Sequence, residues 1–166
     1  MQTFPLSDLK DMISSMEPVL NEGVYVYTSV PHGSDTSMMS PIATVREIEG
    51  ITVIIPESEA LELGLPMLFR CAWITLHVHS DLNAFGLTAA FAKTLSEEEI
   101  SCNVVAGAFH DHIFVPNDLA SQALAALKRL QGTYKEISLG ADELPIQSGH
   151  IQETADRSKA SGERGL

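Results

Sequence analysis

The chain has 166 residues, enough for one ordinary domain or two small ones of roughly 70 residues each. Its composition, 45% hydrophobic and 19% charged, is globular and excludes a wholly disordered chain. Acidic residues number 22 against 10 basic, a net charge of −12 that argues against nucleic acid and anionic membrane surfaces as partners. No apolar run approaches the roughly 20 residues of a membrane span. Met1–Lys10 lacks the basic start and apolar stretch of a secretory signal. The two cysteines, Cys71 and Cys102, make no disulfide framework and fit a reducing cytosol, so a cytoplasmic protein is expected.

In chain order, Leu6, Leu9, Ile13, Met16 and Leu20 recur at helical spacing. They predict a first helix with Ser7 as N-cap, Asp8 in the first turn and Gly23 as its stop. Val24–Val30, rich in β-branched and aromatic residues, predicts a strand. Residues 31–41 form a Pro/Gly/Ser/Met loop. Ile42–Glu47 and Ile51–Ile55 predict a hairpin that turns at Glu49-Gly50, and Pro56 closes its second strand. Glu57–Leu63 is a short acidic helix ending at Gly64, and the stretch Gly64-Leu65-Pro66-Met67 reads as a boundary between two halves.

The second half predicts a strand at Trp73–His79 and a helix at Ala84–Leu95, then strands at Ser101–Ala106 and Phe109–Val115 joined through Gly107. Asn117 or Asp118 then caps a helix with Leu119, Ala123, Leu127 and Leu130 on one face, and Thr133–Leu139 reads as a last strand. This is the split βαβ pattern of ferredoxin-like domains. The expected fold is α+β, with units at 1–68 and 69–140, antiparallel sheets and helices mainly on one face. The polar tail 141–166 has no aromatic residue and no apolar period, and is expected to be disordered.

Two places can carry chemistry. Ser80-Asp81-Leu82-Asn83-Ala84-Phe85-Gly86-Leu87-Thr88 lies between a strand end and a helix start, where free backbone N–H groups and the positive dipole end suit a carboxylate or phosphate. Gly86 permits close approach to its backbone. Without a ligand the same segment is a strand–helix turn with a small residue for packing. Replacing Gly86 by a bulky residue is expected to abolish binding and leave the fold intact.

The second place is a set of histidines. His77 and His79, and His110 and His112, are spaced two apart, which puts each pair on one strand face. In the split βαβ order the two strands are antiparallel neighbours. All four imidazoles then share the face opposite Ile74, Leu76, Val78, Ile113 and Val115. Such a cluster can bind zinc or another borderline metal, hydrogen-bond a ligand, or simply occupy the half-exposed face of a sheet. Asp111 lies on the other face of its strand and reaches a ligand's ammonium group only from the strand's edge. There is no Gly-x-Ser-x-Gly elbow and no Gly-rich phosphate loop, and the cysteines read as small core hydrophobes, so neither catalysis nor a cofactor is expected. Arg46 in the first hairpin is available to pair with a carboxylate.

Several runs resemble a family of small bacterial proteins with paired ACT domains. They are Trp73-Ile74-Thr75-Leu76-His77-Val78-His79-Ser80, Gly86-Leu87-Thr88-Ala89-Ala90, Cys102-Asn103-Val104-Val105-Ala106-Gly107 and His110-Asp111-His112-Ile113-Phe114-Val115-Pro116. Met16-Glu17-Pro18, Gly23-Val24-Tyr25-Val26-Tyr27 and Arg46-Glu47-Ile48-Glu49-Gly50 are similar to the family's amino-terminal module. The resemblance implies βαββαβ regulatory modules, related to the regulatory part of aspartate kinases, that bind amino acids between paired domains. Carried onto this chain, the ligand site is Ser80, Asp81, Ala84, Phe85, Gly86, Leu87 and Thr88, with a second unit or chain completing it; Arg46 and Ile54 are candidates from that side. No catalytic domain is expected alongside the modules. The first module lacks the strand before its first helix, and Thr133–Leu139 or a neighbouring chain is expected to supply one. The expected function is a small amino-acid sensor that can form a homodimer. The alternatives are a metal-binding protein or metal-dependent enzyme using the histidines, and a protein-interaction module.

Overall fold

The computed structural model describes residues 6, 8–78 and 82–141. The polar tail, Ser7 and His79–Asp81 therefore lie outside the described residues.

The first helix, α1 (Leu9–Ser15), begins at Asp8, whose carboxylate accepts the Lys10 N–H at 2.9 Å and the Asp11 N–H at 3.1 Å. It ends at Ser15, earlier than its apolar stripe predicts, and Glu17–Leu20 is instead the strand β1. Pro18 is the physical reason. Its ring disfavours the α region for Glu17 and removes a helix donor. Asn21 N–H donates to the Trp73 carbonyl at 2.9 Å, so by the two-residue period the odd positions of β1 face their partner strand and position 18 faces the free edge. The donor that proline lacks is the one that edge does not need. Gly23, at φ +96°, is not a helix stop but part of the turn from β1 into β2 (Tyr25–Val30).

After the loop over 31–42 come β3 (Ala43–Arg46), β4 (Ile51–Pro56), α2 (Glu57–Glu62) and β5 (Phe69–His77). Then follow α3 (Leu87–Glu97), β6 (Asn103–Ala106), β7 (Asp111–Pro116), a 3-10 turn at Asn117–Leu119, and α4 (Ala120–Ala141). The described strands form one seven-stranded antiparallel sheet in the order β3-β4-β2-β5-β7-β6, with β1 also paired to β5. β5 belongs to two ferredoxin-like units at once. It closes the unit β2-β3-β4-α2, in which the 31–42 loop stands where a helix would be. It also opens the unit β5-α3-β6-β7-α4, whose last strand position, beside β5, is filled by β1.

The strand expected at Thr133–Leu139 is absent, because those residues continue α4. The apolar spacing Ala123, Leu127, Leu130, Tyr134 runs through them onto the core and outweighs the local β preference of Thr133, Tyr134 and Ile137. The Thr133 hydroxyl is satisfied inside the helix, on the Arg129 carbonyl at 3.0 Å.

The helices pack on one face of the sheet. Ala72, Ile74 and Leu76 of β5 and Ile113 and Val115 of β7 meet Met12, Phe91, Leu95, Ala123 and Leu127 in the main core. Val26, Val53 and Ile55 pack against Ala60 of α2 on the same side. The other face carries Tyr25, Tyr27, Phe69, Trp73 and Phe114 in mutual edge and stacked contacts.

Candidate functional site

The segment between β5 and α3 ends at Gly86, the N-cap of α3, at φ +100°. Gly86 has no side chain and so supplies no cap of its own. The first intrahelical bond runs from the Ala90 N–H to the Gly86 carbonyl, so the amides of Leu87, Thr88 and Ala89 have no partner further back in the helix. A small cavity of about 80 Å³ opens against this turn. One wall is Ala84, Gly86, Leu87 and Thr88; Met12 of α1, Leu82, Ala106 and Asp111 complete the lining.

Four of the residues expected from the sequence therefore converge: Ala84, Gly86, Leu87 and Thr88. Phe85 does not line the cavity and stands 85% exposed. Ser80 and Asp81 lie outside the described residues. Arg46 ends β3 at an exposed position, and Ile54 is buried in the aromatic cluster on the other sheet face, so neither joins the cavity. The expectation that a bulky residue at Gly86 leaves the fold intact is corrected. A Cβ there would lie 3.1 Å from Leu9 Cδ2 and 3.2 Å from Leu9 Cδ1, at a φ that side chains rarely adopt.

The sequence allowed Asp111 a role toward a ligand only at a strand's edge; β7 instead lies between β5 and β6, and Asp111 is the charged group on the cavity lining. It is the first residue of β7, paired to Leu76 on one side and Ala106 on the other, and only 7% exposed. It sits at the strand's end rather than at a sheet edge, and strand alternation turns it to the helix side while His112 faces away. Burial pushes its carboxyl above the ordinary carboxylate range; His112 and His110 oppose that rise. The signal was present in His-Asp-His: a carboxylate on the core side of a strand, next to a helix start.

The histidines gather on the opposite sheet face. His77 and His110 are cross-strand neighbours, with ring centroids 4.8 Å apart. Trp73 Nε1 donates to His112 Nδ1 at 3.1 Å, and the Thr75 hydroxyl lies 3.3 Å from the same nitrogen. Asn21 Nδ2 donates in turn to that hydroxyl at 3.0 Å. These donors assign His112 a neutral ring with its proton on Nε2. Burial, followed by His110, pulls its pKa down. His79 lies outside the described residues. Among the described residues no three His, Cys, Asp or Glu side chains are grouped so as to hold a metal ion. Cys71 is buried against the Tyr25 carbonyl, which pushes its thiol up to about 12, and burial also raises Cys102; neither is poised as a nucleophile.

A wider groove of about 680 Å³ runs between β1 and α4, past Pro18, Leu124, Lys128 and Lys135. It is open and lined by mixed surface side chains rather than by convergent buried polar groups. No helix among the described residues is long and apolar enough to cross a membrane.

One antiparallel sheet holding two ferredoxin-like units that share β5 defines the class of tandem ferredoxin-like modules. The chain belongs to the ACT-domain family: ACT-domain family profiles match residues 5–72 and 68–129 in tandem. It is 46% identical to VC0802 from Vibrio cholerae, described as a protein of unknown function and possible transport protein. That match covers 74% of this chain and 95% of the other, with a TM-score of 0.68. The fold is also shared with the ligand-free regulatory subunit of aspartate kinase from Thermus thermophilus (7% identity, 70% and 96% coverage, TM-score 0.53). A third similar structure is the Clostridium acetobutylicum aspartate kinase, described as an allosteric enzyme (8% identity, 68% and 34% coverage, TM-score 0.51). No curated protein matches the chain.

Proposed function

We propose that the protein is a regulatory module without catalysis of its own that binds a small carboxylate, in the first instance an amino acid, at the start of α3. The observation that carries this reading is the cavity against the Gly86–Thr88 turn at the start of α3. Backbone N–H groups there point toward negative charge at the positive end of the helix dipole, as a carboxylate requires. The kinship in fold with regulatory parts of aspartate kinases supports the same role. In this reading the segment 80–88 forms one side of the site. A second copy of the chain covers the other side, over the exposed Leu82 and Phe85, which are 68% and 85% accessible. The protein acts in the cytoplasm, where amino-acid pools are sensed.

A thermal-shift screen of untagged protein with the twenty amino acids, small carboxylates, nucleotides and divalent metals tests this. A ligand at about 100 times its dissociation constant stabilises the fold by roughly 2.7 kcal/mol. A selective rise with one class of amino acid or carboxylate is the expected result. A response to zinc alone, or none to any carboxylate, refutes the reading.

A further inference from the structure

The open groove of about 680 Å³ between β1 and α4 lies along a strand edge that nothing among the described residues pairs. β1 bonds only to β5, and the Asn21 N–H donates to the Trp73 carbonyl, so the backbone groups of Pro18 and Leu20 point to the free side. Leu20 offers an N–H and a C=O there, and Pro18 a C=O. Such an edge is a template for another extended segment.

The groove also has a chemical character. Pro18 and Leu20 stand opposite Leu76 and Ile74 of the main core, so their side chains lie on the helix side and form an apolar floor with Leu124. Leu124, Lys128, Gln131 and Lys135 follow at helical spacing along the other wall. Lys128 and Lys135 are exposed and take part in none of the ion pairs among the described residues, which use Arg70, Lys93 and Arg129. Glu17 is the one acidic group of the lining, so the groove is positive on a chain of net charge −12.

The occupant that fits is extended, acidic and apolar at alternate residues. A second copy presenting the same edge would set its own lysines against these, like charge on like. The chain itself carries a fitting segment directly after α4, which ends at Ala141. Residues 142–156 include Asp142, Glu143, Glu153 and Asp156 but neither Lys nor Arg. Leu144 and Ile146 are two apart, on one side of an extended backbone, and the donor that Pro145 lacks is one an outer edge does not need. Reach is ample. Fifteen extended residues span roughly 50 Å, whereas α4 rises only about 26 Å from Leu124 to its end. Tethering raises the effective concentration to about the millimolar range, which suits ion pairs that are weak one by one.

We propose that the segment 142–156 returns along α4 and lies against the free edge of β1, with its carboxylates on Lys128 and Lys135 and with Leu144 and Ile146 on the apolar floor.

The experiment compares hydrogen exchange of single amides, read by NMR, in the full chain and in its Lys128→Glu/Lys135→Glu variant. Circular dichroism and a cooperative melt confirm that the variant is folded. The expected result is a Leu20 N–H that exchanges at least roughly tenfold more slowly in the wild type than in the variant. The Asn21 N–H, held by the Trp73 carbonyl, should exchange alike in both, which a general loosening of β1 would not allow. Zero-length carbodiimide coupling of an equal mixture of isotope-labelled and unlabelled wild type, read by mass spectrometry, then identifies the occupant. Links from Lys128 or Lys135 to Asp142, Glu143, Glu153 or Asp156 within one chain are expected. A Leu20 N–H that exchanges as fast in the wild type as in the variant overturns the proposal. So do links found only between labelled and unlabelled chains, which give the groove to a second copy's segment. A protected Leu20 without any link to 142–156 overturns it as well, and gives the groove to a different partner.

Discussion

Gly86→Ala tests how the site is built. Gly86 sits at φ +100° and ψ −28°, where an L side chain costs about 1–3 kcal/mol of backbone strain. Its new Cβ would also press on Leu9, at 3.1 Å from Cδ2 and 3.2 Å from Cδ1. Leu9 is the first residue of α1 and is packed against the main core, so its side chain has to withdraw by a few tenths of an ångström, at about 1 kcal/mol. The sum is roughly 2–4 kcal/mol, a fall in melting temperature of roughly 4–16 °C for a chain of this size. Urea unfolding followed through Trp73, the single tryptophan, reads the change directly. Leu9→Ala in a double-mutant cycle separates the two causes, because it removes the steric contact and leaves the backbone strain. The cost of Gly86→Ala should therefore fall by about 1 kcal/mol in the Leu9→Ala background. Equal costs in both backgrounds refute the Leu9 contact. A neutral or stabilising Gly86→Ala refutes the left-handed turn.

Two further outcomes concern pH. The carboxyl of Asp111 is raised in the folded state, so its favourable contribution exists below the unfolded value of about 3.9 and is lost as pH rises through the folded value. Without ligand, Asp111→Asn should therefore be more stable than the wild type at pH 7, with the gain shrinking toward acid pH; a less stable variant at pH 7 contradicts this. His112 is depressed, so its contribution is in place above about 6.5 and is lost as pH falls toward the folded value. Its ring protons should titrate below the ordinary histidine range by NMR, and Trp73→Phe, which removes the indole donor, should move that titration upward. A His112 that titrates at or above the ordinary value refutes the neutral ring.

Much of the architecture was legible along the chain. The alternation in Trp73–His77 and Asp111–Val115 put the aliphatic residues on one face and the aromatic and histidine residues on the other, as the structure has them. The helix after β5 was readable from its apolar stripe, but the start expected at Ala84 is three residues early, because the left-handed backbone at Gly86 delays it to Leu87. The first helix was misjudged because Met16 and Leu20 keep the helical spacing in a segment where Pro18 favours extended backbone. The last strand was misjudged because β-prone residues at 133–137 lie on a stripe that the core extends as helix.

Local chemistry thus determined which residues turn, which begin a helix and which side of a strand each faces, since those follow from backbone sterics and a period of two or 3.6 residues. Partners and burial depend on contacts far apart in sequence, which no local period encodes. Only the tertiary structure decided that β1 fills the last strand place beside β5, and that Asp111 closes a cavity with residues of α1, β6 and α3.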